Sequence, residues 1–305
     1  MTAARVLFVF LDGVGLGSDD PATNPVAAAA TPFIEGLLGA KLTAAAEPVT
    51  GRELVYRRLD ATLGVEGLPQ SATGQTTLLT GVNAAAVMGR HYGPWPGPTL
   101  RRLMEERGTL FTEAARLGGA VLANAYPPGY LAAVSGAAGG RRQRPNAPTF
   151  AAMAAGLGLR DLNDYRAGGA AAADLSGERF AEMDPGLAPH GAAGTAAALL
   201  GLARGAALTF FDVWPTDALG HAKDFAGATR LLALLDEVLA RLVGQGVTLV
   251  VTSDHGNLED AGSGQHTHAE VPLLVSGPRA EAFAGAASLL DVAPAIRAVW
   301  SGRTA

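Results

Sequence analysis

No cysteine occurs in the 305 residues of this chain. Disulfides, thiolate metal sites and cysteine nucleophiles are thereby excluded. Long hydrophobic runs are also missing: no stretch approaches the ~20 apolar residues that span a bilayer. The N-terminal apolar run, Val6 to Leu11, is too short for a signal h-region and ends in Asp12 and glycines. An excess of basic charge is lacking as well. The net charge is −5 and the pI about 5.7, which argues against nucleic acid or an anionic membrane as the main partner. A soluble cytoplasmic protein is the expectation. What the chain has in place of these is glycine, 40 residues of it, and abundant alanine. No fixed period accompanies them, so neither a collagen-like nor a disordered chain is indicated. With 49% hydrophobic residues the composition is globular, and the length suits one large α/β domain or a core with a small insert.

Hydrophobic periodicity orders the elements. Arg5 to Leu11 reads as a buried parallel strand, an unbroken apolar run that ends in a turn at Asp12-Gly13. Thr31 to Leu38 starts a helix, with Thr31 as N-cap and Pro32 at the first helical position. Gln75 to Thr80 opens another helix behind a glycine-containing turn. Thr99 to Arg107 and Leu110 to Leu117 are helical, and Ala120 to Ala123 is a strand. Leu208 to Val213 is a second clear strand, Val247 to Thr252 a third and Val271 to Val275 a fourth. Ala226 to Val243 is an amphipathic helix with Leu231, Leu232, Leu235, Val238, Leu239 and Leu242 on one face. Strands alternating with helices predict a doubly wound, mostly parallel α/β sheet covered on both faces. Residues 125–195 read differently. They are Gly- and Ala-rich without a strong strand, and carry the basic run Arg141-Arg142-Gln143-Arg144. The expectation is a core of residues 1–124 and 196–305 with a small cap, 125–195, inserted into it.

Sites in such sheets lie beyond the carboxyl ends of strands. Asp12, Asp217 and Asp254 all fall at or just after such an end. Gly13, Gly15 and Gly17 do not make a dinucleotide loop, because Ser18 stands where the last glycine of G-x-G-x-x-G belongs. Asp217-Ala-Leu-Gly-His221 sets two ligand types about one helical turn apart, and Gly220 leaves room for close approach. Asp254-His255-Gly-Asn257 sets two more side by side. His266 follows in a Gly-rich loop, with His268 as its competitor. Four of the six histidines fall between 221 and 268. Hard carboxylates mixed with imidazoles suit divalent ions, Mn²⁺ or Zn²⁺ better than Ca²⁺. With Asp12 and a hydroxyl near Ser71, the set has the size of a two-metal site for phosphoryl chemistry. The segment Ser71-Ala-Thr73-Gly-Gln-Thr-Thr offers several hydroxyls at a predicted helix start, where the dipole and backbone N–H groups favour anionic oxygen.

The order Asp12-Gly, Ser71-Ala-Thr-Gly, Asp217-Ala-Leu-Gly-His221, Asp254-His255-Gly-Asn and His266-Thr-His-Ala-Glu-Val-Pro272 resembles the alkaline phosphatase superfamily. It is most similar to the metalloenzyme branch that holds cofactor-independent phosphoglycerate mutase and phosphopentomutase. Asn24-Pro25 and Thr31-Pro32-Phe33 also resemble that family's segment after the first Asp. The resemblance implies an alkaline phosphatase-like core and two divalent ions. Asp12, Ser71, Asp254 and His255 would hold one ion, and Asp217, His221 and His266 the other. It further implies that Ser71 is the nucleophile, with Thr73 as fallback, attacking a small phosphorylated substrate to give a phosphoserine. Gln75 stands where both mutases carry a histidine. The chain is far too short for the large transferase domain of the phosphoglycerate mutases, and the absence of a C/S-x-P-x-R motif disfavours a sulfatase. Arg141, Arg142 and Arg144 are expected to grip a carboxylate or phosphate of the substrate. The expected activity is mutase- or phosphatase-type transfer from a phosphomonoester. A phosphodiesterase or phosphonate-type hydrolase on the same core, or a catalytically silent metal-binding module, are the alternatives.

Overall fold

The computed structural model describes residues 4–135 and 143–302. Seven strands form one sheet: β1 (Val6–Leu11), β2 (Val49–Thr50), β3 (Leu54–Leu59), β4 (Ala120–Leu122), β5 (Leu208–Val213), β6 (Thr248–Ser253) and β7 (Val271–Ser276). Their spatial order is β2-β3-β7-β6-β1-β5-β4. β1 lies between β5 and β6 and runs parallel to both, and β4 runs parallel to β5. β7 is antiparallel to β6, β3 to β7 and β2 to β3. β3 therefore points the same way as β1, so five of the seven strands share one direction. The fold is α/β with a mixed, mostly parallel sheet.

Alternation along the strands builds two cores. Val6, Phe8 and Phe10 of β1 face one of them, and Leu7, Val9 and Leu11 the other. The first core is covered by the helices Ser71–Thr80, Pro98–Arg107, Leu110–Leu117, Ala147–Ala154 and Val292–Ser301. The second is covered by Pro25–Ala28, Pro32–Leu38, Gly191–Ala203 and Phe225–Leu242. The predicted apolar face of Phe225–Leu242 is buried in full, from Leu231 to Leu242. Among the described residues no helix is long and apolar enough to cross a membrane.

Three local expectations are corrected. The helix expected to open at Gln75 begins at Ser71, and all ten of its residues are buried. Gly74 is not a turn residue; a Cβ there would lie 2.8 Å from the backbone oxygen of Asp254, so glycine is required by close approach. Thr31 occupies the N-cap position of Pro32–Leu38, but its side chain makes no cap bond. Asp236, buried in the middle of Phe225–Leu242, accepts from Phe33 N (3.0 Å) and Ile34 N (2.8 Å) instead. The third correction is β3, which the sequence analysis left unassigned. Arg57 and Arg58 break its apolar run, yet Val55, Tyr56 and Leu59 are fully buried against β7.

Residues 125–195 contribute helices and isolated bridges, at Asn124↔Ala171 and Ala125↔Arg160, but no named strand among the described residues. Ala147, Ala151 and Ala152 join the first core of the sheet. Tyr165, Phe180 and Leu187 pack with Ala125, Ala170 and Ala172 into a small separate cluster.

Candidate metal centre

Leu11 is in register with both Val213 and Ser253, so β1, β5 and β6 end level. Asp12 and Asp254 are the first residues past two of these ends. The turn after β1 is fastened to the end of β6, with Val14 N donating to Ser253 Oγ (2.8 Å) and Gly13 N to Asp254 Oδ1 (3.3 Å). Past β5 the chain enters the helix Pro215–Ala222, which presents Asp217 and His221 four residues apart. The long loop after β6 returns His266 to the same place.

These residues assemble into two triads. Asp12, Asp254 and His255 form one, Asp217, His221 and His266 the other, and within each the ligand atoms lie within 4.8 Å of one another. His255 and His266 stack across the boundary, with ring centroids 3.7 Å apart. Ser71, the first residue of its helix, places Oγ 3.0 Å from His255 Nε2. Thr73 is turned away: its hydroxyl donates to the carbonyl of Gln70 (3.0 Å) and accepts from Tyr92 N (3.2 Å). His268 is exposed and belongs to neither triad. Arg144 is exposed and lines the cavity over the triads. Arg141 and Arg142 lie outside the described residues.

Each triad histidine has its Nδ1 at a backbone carbonyl. His266 reaches Pro69 O at 2.7 Å, His221 reaches Gly264 O at 2.9 Å and His255 reaches Gly256 O at 3.3 Å. A carbonyl only accepts, so Nδ1 carries a proton and Nε2 is the ring nitrogen that faces inward. That is the orientation a metal requires. The carboxylates are held too. Gln75 Nε2 donates to Asp12 Oδ2 (3.2 Å) and Asp254 Oδ2 (3.1 Å), and Asn257 Nδ2 donates to Asp217 Oδ1 (2.6 Å). Gly220 makes room for that amide rather than for an ion, since a Cβ at Gly220 would lie 2.7 Å from the Asn257 side chain.

The electrostatics call for a cation. Burial, then Asp254, raises the Asp12 carboxyl to about 8. Burial raises Asp254 to about 6 against the opposing pull of His255. His255 is raised to about 10, because Asp254 and Asp12 together outweigh its own burial. Burial and the neighbouring His255 lower His266 to about 4. Asp12 Oδ1 is buried and makes no close hydrogen bond, with His255 Nε2 3.4 Å away. A divalent ion on each triad would supply the missing positive charge, so the residues present fit such a group.

Four contributors were given no role from sequence. Gln75 and Asn257 stand beside recognised residues, but only tertiary approach shows that they hold carboxylates. Glu259, buried, accepts from Gly15 N (2.9 Å), from Asn257 N (2.8 Å) and from the Thr267 hydroxyl, binding three loops together. Asp212 is the last. It is buried near the end of β5 with its Oδ2 at Asn146 Nδ2 (2.7 Å), and burial and Asp12 raise its carboxyl to about 8. Its sequence signal was a lone charge in the strand Leu-Thr-Phe-Phe-Asp-Val.

Residues 192–299, which carry five of the six triad residues, match the Metalloenzyme superfamily. This segment therefore resembles that superfamily, on a fold that is alkaline phosphatase-like. The particular relatives are 2,3-bisphosphoglycerate-independent phosphoglycerate mutases. The one from Nitrosococcus oceani is 34% identical over 89 residues, 26% of this chain and 17% of the mutase. The one from Desulforudis audaxviator is 38% identical over 94 residues, 26% of this chain and 18% of the mutase. The chain thus spans less than a fifth of the length of these curated relatives. Across the whole fold, the alkaline phosphatase of the Antarctic bacterium TAB5 aligns with a TM-score of 0.55 at 16% identity, covering 98% of each chain. The PH0037 protein of Pyrococcus horikoshii aligns with a TM-score of 0.53 at 15% identity, covering 99% of this chain and 98% of its own.

Proposed function

We propose that the chain is a di-metal phosphoryl-transfer enzyme acting on a phosphomonoester through a phosphoserine at Ser71. The carrying observation is the meeting of two triads and one hydroxyl at three level strand ends. Asp12, Ser71, Asp254 and His255 would hold one divalent ion, and Asp217, His221 and His266 the other. When bound, the ions supply positive charge that favours the serine alkoxide and offsets the charge of the phosphoryl oxygens. The donor set suits Mn²⁺ or Zn²⁺.

The chain's own residues do the rest. The helix Ser71–Thr80 aims the Ser71 hydroxyl into the site from its positive end. Ser71 Oγ attacks phosphorus in line, the ester P–O bond breaks, and the alcohol leaves with a proton. A second attack, by water or by another hydroxyl, then releases the phosphoryl group and restores Ser71. Which acceptor enters separates a phosphatase from a mutase. In this reading residues 125–195 act as a cap that controls the acceptor by excluding water, and Arg144, with Arg141 and Arg142, grips a remote anionic group. Metal-depleted chain should be inert towards p-nitrophenyl phosphate and regain turnover with Mn²⁺. Turnover that is indifferent to metal would refute the reading.

A further inference from the structure

The cavity over the triads has a volume of about 680 Å³. Asp12, Ser71, Asp217 and His221 line its phosphoryl end. Six large aromatic or apolar side chains, Trp95, Tyr126, Tyr130, Phe180, Met183 and Trp214, dominate the rest of the wall, with polar groups such as Asn146 and Thr149 between them. Five large hydrophobic side chains are exposed among the described residues, and three of them meet here: Trp95 (46% exposed), Met183 (58%) and Trp214 (40%). Exposed apolar surface scattered singly needs no explanation, but its concentration around one concavity marks a binding site. The rings are also organised. Tyr126 and Tyr130 stack with centroids 4.7 Å apart at 13°, and the Arg179 guanidinium lies 5.7 Å from the centre of the Trp214 ring.

The described arginines on this wall are Arg144 and Arg179, and Arg179 is engaged with Trp214. Asp174 and Asp212 also line it, in addition to the aspartates of the triads. A planar ring on the substrate would meet surfaces that match it.

We propose that the alcohol of the phosphomonoester carries a planar aromatic group, and that Trp95, Trp214 and the Tyr126–Tyr130 pair bind that ring. This rests on the phosphoryl-transfer reading for its chemistry, but the ring-binding wall can be tested without turnover. Leaving groups must be matched, because an aryl ester reacts faster for reasons unrelated to binding. The metal-replete chain is therefore compared on three aliphatic esters: 2-(1-naphthyl)ethyl phosphate, hexyl phosphate and 3-phosphoglycerate. The naphthyl ester should have the highest kcat/KM, by ~10-fold or more. Trp214→Ala and Trp95→Ala should each lower the naphthyl-to-hexyl ratio ~5- to 10-fold, mainly through KM. A hexyl ester as good as the naphthyl ester, or 3-phosphoglycerate as the best substrate, overturns the proposal.

Binding is read separately from intrinsic fluorescence. Two of the chain's three tryptophans line the cavity, while Trp300 is buried and donates to Ala207 O (3.1 Å). 2-(1-Naphthyl)ethylphosphonate should change the emission with a Kd ~10-fold below that of hexylphosphonate. If no ester is turned over, the phosphoryl-transfer reading falls. The same titration still upholds the aromatic wall when the naphthyl compound binds tighter, and refutes it when the two bind equally.

Discussion

The two triads are built from the same residue types and are set in opposite surroundings. Asp12, Asp254 and His255 are buried, and leave β1 and β6 where the sheet itself fixes them. Asp217, His221 and His266 ride on an eight-residue helix and a loop, and His221 is exposed. The difference is one of how position is enforced. In the deep triad the fold supplies geometry and desolvation together, so the carboxyl groups are driven upward and a cation becomes part of the structure. In the open triad one amide, Asn257, and two carbonyls hold the ligands, while water reaches the site. We therefore expect the deep site to bind its ion more tightly and the open site to exchange.

The largest test is at the boundary. Ser71→Ala should lower turnover by more than ~10³-fold while both ions stay bound. Substantial activity in Ser71→Ala, lost only with Thr73→Ala, would move the nucleophile two residues along. Next come the ligands. Asp254→Asn should weaken the tighter of two metal-binding steps by ~100-fold or more, whereas His221→Asn should act on the weaker step alone. Calorimetric titration reads both, and identical effects would erase the distinction between deep and open. Smaller again is Asn257→Ala, expected to cost the weaker step ~10- to 100-fold through loss of the Asp217 contact, with unchanged circular dichroism.

A separate effect is on stability without metal. Asp12 and Asp212, at about 8, keep protons in the fold that the unfolded chain has released. His255, at about 10, does the same above its ordinary value of 6.5. His266 is shifted the other way, but its influence ends at that same value. Between pH 6.5 and 8 the metal-free fold thus binds more protons than the unfolded chain, and its stability should fall as pH rises. The slope is up to ~1.4 kcal/mol per pH unit for each proton. Urea unfolding at both ends of that range measures it, and Asp212→Asn should flatten it. A stability that rises with pH would show that the buried carboxyl groups are ionised in the metal-free fold.

What could be read from the chain divides along physical lines. β1, β5 and β6 were legible because strands buried on both faces are continuous apolar runs, and their ends pointed to Asp12, Asp217 and Asp254. The long helix Phe225–Leu242 was legible from its period. β3 was not, since its burial comes from pairing with β7 while Arg57 and Arg58 keep the local pattern polar. Gly74 was misread because glycine signals a turn locally, whereas its reason is the Asp254 backbone 180 residues away. Asp236 and Glu259 carry no local signal of what they do; each serves N–H groups or loops that only the tertiary fold delivers.

β1 occupies the middle of the sheet, and both of its hydrogen-bonded neighbours come from residues 208–213 and 248–253. β1 is therefore separated by about 200 residues from the nearer of the two strands it pairs with. Asp236 closes a loop of similar size onto Phe33 and Ile34. Pairings at such sequence separation make folding slow and leave an apolar hexapeptide uncovered in the meantime. The central position that makes Asp12 so well fixed in the finished molecule thus leaves its strand without partners until distant residues have been delivered.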